Sequence, residues 1–134
     1  MNCTIRYKER RHYKYTLFED YPIQTDLRPP HAISTRFIDL DLDGLLTIKK
    51  NYAWDGASGA FDTKNIMWGS LVHDALYQLM REELISLEKR EDVDWLLREI
   101  CLEDGMSRIR ADWVYHGVDI FGASSAKPDL LHAP

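Results

Sequence analysis

The sequence predicts an α+β fold, in which a small N-terminal antiparallel sheet precedes a three-helix C-terminal part. In the first fifty residues apolar and polar side chains alternate, which is typical of half-buried strands. In the second half apolar side chains recur every three or four positions, which is typical of amphipathic helices. A run of strands followed by a run of helices indicates the α+β class.

The first fifty residues are expected to form the short strands of that sheet. Apolar side chains alternate with Asp39, Asp41 and Asp43, and the alternation resumes after Gly44. An Asp-Gly pair between two such runs is typical of a two-residue hairpin turn. The aspartates also resemble the first half of an EF-hand calcium loop, but that loop needs an acid at its twelfth position, where this chain has Lys50. The hairpin is therefore the preferred interpretation.

Three helices are expected to follow, each between a capping residue and a stop. The first helix can be capped by Asp62, Thr63 or Asn65. Ser86 can cap the second helix, which Gly105 ends, and Ser107 can cap the third, which Gly122 ends. The predicted organisation is a single domain, 1–122, with strands at about 3–50, a loop at 51–62, helices at about 65–82, 87–104 and 107–121, and then a flexible tail, 123–134.

The composition indicates a folded, acidic protein. The net charge is -5 and the pI is about 5.5, so the chain has no general positive field for nucleic acid. Basic residues from Lys8 to Lys14 are interleaved with tyrosines and diluted by acids, and a nucleic-acid binder therefore ranks last among the function classes. Cys3 and Cys101 form no disulfide framework or metal motif, which indicates a reducing compartment. No apolar run has the length of a membrane span.

The strongest chemical signal lies on the first predicted helix. His73 and Tyr77 are four residues apart, so they lie on adjacent turns of one face, beside the apolar stripe. Asp74 points about 100° away from His73 around the helix axis and can serve a separate cation. A histidine is a suitable general base because imidazole titrates near neutral pH.

A histidine base also needs a carboxylate on its other ring nitrogen. Asp94 lies at the border of the second helix's apolar stripe, where an acid is costly unless it is paired. Asp92 is the competing candidate on the more polar side, and Arg90 stands four residues before Asp94. Two interpretations stay open: a catalytic pair of His73 and Asp94, or a structural cluster in which Arg90 satisfies Asp94.

These residues together resemble an uncharacterised family of tailed bacteriophages and prophages. The family pattern is an Asp-x-Ala-Ser loop, a His-Asp-x-Leu-Tyr helix and an Arg-x-x-x-Asp helix, matched here by Asp55 to Ser58, by His73 to Tyr77, and by Arg90 with Asp94. The resemblance covers roughly residues 45–122, with Gly59-Ala60 where the family often has Ile-Pro. It implies a phage origin. The N-terminus has no apolar signal region, so we expect no signal peptide and a location in the host bacterial cytoplasm or in the virion.

The same segment is similar to the phospholipase A2 core. That core places a glycine-bearing calcium loop before a His-Asp-x-x-Tyr helix and a second aspartate on an antiparallel helix. The resemblance implies that His73 is the base, that Asp94 orients it, and that Tyr77 donates a hydrogen bond to Asp94. This chain departs from the pattern because no cysteines flank His73 and the loop has no Gly-x-Gly.

The phospholipase resemblance further implies a calcium ion (Ca2+) held by one helix carboxylate and by carbonyl groups of the loop. The implied metal ligands are Asp74, Tyr52, Trp54 and Gly56. The implied supporting residues are Asp55, Ser58 and Arg90.

Two functional hypotheses follow from these resemblances. The leading one is a phage-encoded, hydrolase-like protein with a phospholipase A2-type His/Asp site, which hydrolyses a lipid or another envelope ester with calcium. The alternative is a non-enzymatic virion, tail or host-interaction protein with a phage or host protein partner. In that case the His/Asp cluster is a polar network that fixes the packing of the helices.

Overall fold

The computed structural model describes residues 7–9, 15–54 and 64–126 of the 134-residue chain. Over these residues seven short strands precede three helices, so the fold is α+β, as the sequence predicts. The chain divides into two compact units, with the strands in residues 2–58 and the helices in residues 59–134. The predicted single domain over residues 1–122 stays a prediction.

The β unit contains two antiparallel sheets, with strand orders β1-β2-β7 and β3-β6-β5-β4. The bounds of the strands are β1 Tyr7–Glu9, β2 Tyr15–Leu17, β3 Tyr21–Gln24, β4 Ile33–Ser34, β5 Ile38–Leu40, β6 Leu45–Ile48 and β7 Ala53–Trp54. Predicted strand residues 3–6 and 10–14 lie outside the described part of the chain. The alternation of apolar and polar residues in the sequence matches the register of β5 and β6, because one face of the two strands is fully buried. The buried side chains on that face are Ile38, Leu40, Leu46 and Ile48.

The β5–β6 hairpin has a turn one residue longer than predicted. Its loop is Leu42 to Gly44, because the amide of Asp41 donates to the carbonyl of Leu45 at 3.1 Å. The Oδ1 atom of Asp41 accepts the amides of Asp43 and Leu45, both at 2.9 Å, and Gly44 adopts a φ of +89°. The aspartate at the start of the turn therefore stabilises the wider loop, which needs a left-handed residue at its end.

Strand β7 corrects the prediction of a loop at 51–62. The amide of Leu17 donates to the carbonyl of Tyr52 at 2.9 Å, and the amide of Asn51 donates to the carbonyl of Leu17 at 2.8 Å. The Trp54 side chain is 2 % exposed and its ring centroid lies 5.5 Å from that of Tyr15. A two-residue strand is too short to produce a readable alternation, so aromatic burial rather than periodicity decides its conformation.

Helix α1 spans Lys64–Arg81, close to the predicted 65–82. Its predicted stripe is buried at Trp68, Val72, Leu76 and Leu79. The predicted caps Asp62 and Thr63 lie outside the described residues. The helix ends where Glu83 adopts a φ of +61°, which allows the amide of Leu84 to reach the carbonyl of Leu79 at 2.8 Å. This is the left-handed helix end that glycine usually occupies.

The second and third helices differ from the prediction mainly at their ends. A 3₁₀ turn, Leu87–Lys89, is capped by Ser86 and leads into α2, Arg90–Glu103, so the first turn of the predicted 87–104 helix is tighter than an α-helix. Gly105, with a φ of +95°, follows the end of α2 as predicted.

Helix α3 spans Arg108–Ala126, so the predicted end at 121 and the predicted tail from 123 are wrong for residues up to 126. Gly122 does not stop the helix, because a glycine inside a helix costs only about 1 kcal/mol. The remainder of the predicted tail, 127–134, lies outside the described residues. None of the described helices is both long enough and apolar enough to span a membrane.

Candidate functional site

Helix α1 presents His73 and Tyr77 as a stacked pair. The two residues are one turn apart, and their ring centroids lie 4.1 Å apart with an interplanar angle of 33°. His73 is 8 % exposed and Tyr77 is 3 % exposed, so both rings lie within the helical unit. The predicted neighbourhood of these two side chains is therefore present in the structure.

Asp94 of α2 lies opposite this pair and accepts hydrogen bonds from three side chains. Its carboxylate has no exposed surface. The Oδ1 atom is 2.8 Å from Nε2 of His73 and accepts the Tyr77 hydroxyl at 2.5 Å. The Oδ2 atom accepts Nη1 of Arg90 at 3.3 Å. These contacts join the four residues into one network, and the competing Asp92 is exposed.

The geometry determines which nitrogen of His73 carries the proton. An ionised carboxylate can only accept hydrogen bonds, and the Arg90 guanidinium lies 3.3 Å from Oδ2 of Asp94. Nε2 of His73 must therefore be the donor to Oδ1. In the neutral ring this leaves Nδ1 with a lone pair, which is the form required of a general base.

Tyr77 remains a hydrogen-bond donor over the whole physiological pH range. Burial raises the pKa of its hydroxyl above the ordinary value, and the hydrogen bond to Asp94 and the charge of Asp94 raise it further. Arg90 acts in the opposite direction but does not cancel these effects. Tyr77 therefore serves Asp94 as a neutral donor and does not itself act as a base at neutral pH.

Gly69, which the sequence prediction missed, lies where α1 and α2 pack closely against each other near the network. A Cβ atom at Gly69 would lie 2.6 Å from Cδ1 of Leu97 and 3.2 Å from Sγ of Cys101. Gly69 is one turn before His73, and Leu97 is three residues after Asp94. The available signal was a glycine inside an otherwise apolar helix, which usually has a packing reason.

The structure describes only part of the predicted calcium site. Asp74 is partly exposed on α1 in the helical unit, whereas Tyr52 and Trp54 are buried residues of the β unit. The predicted loop residues Asp55, Gly56 and Ser58 lie outside the described residues. The implied calcium loop is therefore not described as a whole.

Three of the predicted calcium ligands, Asp74, Tyr52 and Trp54, belong to the described residues. The carbonyl of Tyr52 already accepts the amide of Leu17 within the sheet. Among the described residues no group of three or more His, Cys, Asp or Glu side chains could hold a metal ion. Calcium binding at Asp74 stays a prediction.

Comparisons with protein-family models, with curated proteins and with solved structures found no match to this chain. The resemblances to the phage family and to the phospholipase A2 core therefore stay predictions. The network of His73, Tyr77, Asp94 and Arg90 is the feature of the described structure that bears on function.

Proposed function

We propose that the helical unit carries a hydrolase-type site in which His73 is a general base oriented by Asp94. The single observation that carries this proposal is the contact of His73 Nε2 with Oδ1 of the fully buried Asp94 at 2.8 Å. The contact supports a proton on Nε2 and a lone pair on Nδ1. A histidine held in this way by a carboxylate is the arrangement that activates water or a hydroxyl nucleophile in many hydrolases.

The proposed reaction is the hydrolysis of an ester by water. Nδ1 of His73 removes a proton from water as the water oxygen attacks the ester carbonyl. The resulting imidazolium is stabilised by Asp94, which keeps its hydrogen bond to Nε2. His73 then returns the proton to the alcohol oxygen as the carbon–oxygen bond breaks, which leaves a carboxylic acid and an alcohol. No step is routed through calcium.

The distribution of exposure supports this division of roles. The His73 side chain keeps 10 % of its surface exposed, whereas the Asp94 side chain keeps none. Solvent can therefore reach the imidazole while the carboxylate stays dry, and a dry carboxylate holds its hydrogen bonds more strongly than one in water. The proposed substrate is a lipid or another envelope ester of a bacterium, and the proposed source of the protein is a phage.

The second candidate is a structural network in a non-enzymatic phage protein, either a virion or tail component or a host-interaction protein. The observation that favours it is that three donors converge on one buried carboxylate. Such a network specifies how two helices pack, whether or not any chemistry follows. In this case the loss of a network side chain lowers stability and removes no activity.

A hydrolysis assay separates the two candidates. Mixed micelles that contain phospholipid are incubated with the protein, with and without added calcium, and released fatty acid is measured. The enzyme proposal expects turnover that is lost in His73→Gln and kept in His116→Gln, a matched change of an exposed histidine on α3. Circular dichroism must show that both variants are folded.

Each result of the hydrolysis assay supports one of the two candidate functions and contradicts the other, or bears on the metal site. Turnover by His73→Gln at the wild-type rate would contradict a base at this position. The absence of turnover in the wild type under both conditions favours the structural network. Turnover that requires calcium, together with calcium-induced thermal stabilisation that is lost in Asp74→Asn, would support the predicted metal site.

A further inference from the structure

Arg90 stands apart from the other three members of the network. His73 and Tyr77 reach Asp94 from α1, whereas Arg90 belongs to α2 and contacts Asp94 from the preceding turn of the same helix. Its side chain is 26 % exposed, more than that of its two network partners on α1. Arg90 therefore links the buried carboxylate to the surface of α2.

The carboxylate of Asp94 needs an external constraint on its orientation. The terminal torsion of an aspartate is broad and nearly two-fold, so the side chain alone does not determine where each oxygen points. In this network Oδ1 receives both donors from α1, and Oδ2 receives Arg90. The Arg90 contact at Oδ2 opposes rotation of the carboxylate about this torsion.

We infer that Arg90 is a positioning residue for the His73–Asp94 pair: by holding Oδ2 it turns Oδ1 toward α1, where Oδ1 meets Nε2 of His73. The i,i+4 contact within α2 gives Oδ2 a partner on the helix that carries Asp94. Arg90 also interacts with the Tyr77 hydroxyl of α1. Without Arg90, Tyr77 and His73 can each take a separate oxygen, and the carboxylate rotates away from its alignment with the imidazole. The catalytic meaning of this inference rests on the proposed function, but its geometric content does not.

A second arginine of α2, Arg98, has its partners on α3 and on its own helix. Arg98 lies two turns after Arg90 on α2 and donates from Nε to Oδ1 of Asp112 on α3 at 2.6 Å. The guanidinium carbon of Arg98 also lies 4.4 Å from the ring centroid of Trp95. Arg98 therefore carries the same charge on the same helix, and its side chain is 11 % exposed against 26 % for Arg90. Among the described residues it has no contact with Asp94. It provides the matched control.

The test uses the NMR signal of the proton on Nε2 of His73 in uniformly ¹⁵N-labelled protein at one fixed, slightly alkaline pH. A proton held against a buried carboxylate resonates far downfield and exchanges slowly with water. The inference expects Arg90→Met to move this signal upfield or to broaden it beyond detection. Arg98→Met is expected to leave the signal in place. Arg90→Lys, which keeps the charge, is expected to restore most of the wild-type position.

If hydrolysis is measurable, Arg90→Met is expected to lower kcat by about tenfold or more and to leave KM nearly unchanged, since misplacement of a catalytic group costs rate rather than binding. A purely structural Arg90 would lower the unfolding midpoint and leave the His73 proton signal where it is, and that outcome overturns the inference. If Arg90→Met does not fold, Arg90→Gln decides, because an unchanged His73 proton signal after the loss of the guanidinium charge would equally overturn the inference. A wild type without hydrolysis but with the expected NMR changes contradicts the proposed function alone.

Discussion

Replacing Tyr77 by phenylalanine removes one hydroxyl from the network and leaves the ring in place. The lost hydrogen bond is the 2.5 Å contact with Oδ1 of Asp94, which is fully buried. A hydrogen bond to a charged group contributes roughly 1.5–3 kcal/mol. Asp94 keeps His73 and Arg90 as hydrogen-bond donors, so the variant does not leave its buried carboxylate without a partner. We therefore expect the unfolding free energy to fall by about 2 kcal/mol.

Urea denaturation measures this loss, and Tyr115→Phe provides the control. The Tyr115 hydroxyl lies 3.4 Å from Oε1 of Glu91 in an exposed position, so its removal should change the unfolding free energy by no more than about 0.5 kcal/mol. If Tyr77→Phe costs no more than Tyr115→Phe, the buried network does not stabilise the helical unit and the reasoning is refuted.

The cost of Tyr77→Phe should also depend on pH. Burial and then Asp94 raise the pKa of Tyr77 in the folded protein above the ordinary value of 10.0. The unfolded chain therefore loses this proton at a lower pH than the folded chain, and the wild type loses stability as the pH rises above about 10. Phenylalanine cannot ionise, so the unfolding free energy of Tyr77→Phe does not fall in this way. The difference in unfolding free energy between the wild type and the variant should therefore be largest at about pH 8 and smaller at about pH 10.5. A constant difference would contradict the raised pKa.

Three further changes test the surrounding structure by the same denaturation assay or by thiol labelling. Gly44→Ala should cost more than about 2 kcal/mol, because φ is +89° and a Cβ would lie 2.5 Å from the carbonyl oxygen of Thr25; a neutral effect would contradict the turn. Glu83→Gly should stabilise by about 1 kcal/mol, because Glu83 has a φ of +61° at the end of α1; a loss of stability would contradict that conformation. Burial raises the pKa of Cys101 to about 12, so in a Cys3→Ser background its thiol should react with a disulfide reagent only as fast as the protein unfolds. Rapid labelling of the native protein would show that Cys101 is accessible.

The sequence predicts the elements whose signal is local and repeated. The alternation around Asp39 and Asp41 predicts a hairpin, and the hairpin is present, because one buried face determines the register of both strands. The apolar stripe of α1 predicts the first helix to within one residue at each end. Asp94 follows from the same kind of argument, since an acid at the border of an apolar stripe needs a partner.

The remaining features depend on contacts between distant segments. The two-residue strand β7 exists because Trp54 packs on Tyr15, thirty-nine positions earlier in the chain. The role of Gly69 depends on Leu97 and Cys101 of another helix, which no local pattern identifies. The contact of Arg90 with Oδ2 could be anticipated from its i,i+4 spacing, but the assignment of both α1 donors to Oδ1 could not.

The most direct test of the central claim is the location of the proton on the His73 ring. The ¹⁵N resonances of the two ring nitrogens, assigned by comparison with His73→Gln, distinguish a protonated nitrogen from a bare one. At slightly alkaline pH we expect the proton on Nε2, hydrogen-bonded to Asp94, and a bare Nδ1 available as a base. A proton on Nδ1, or an even mixture of the two neutral forms, would contradict the claim that Asp94 orients His73.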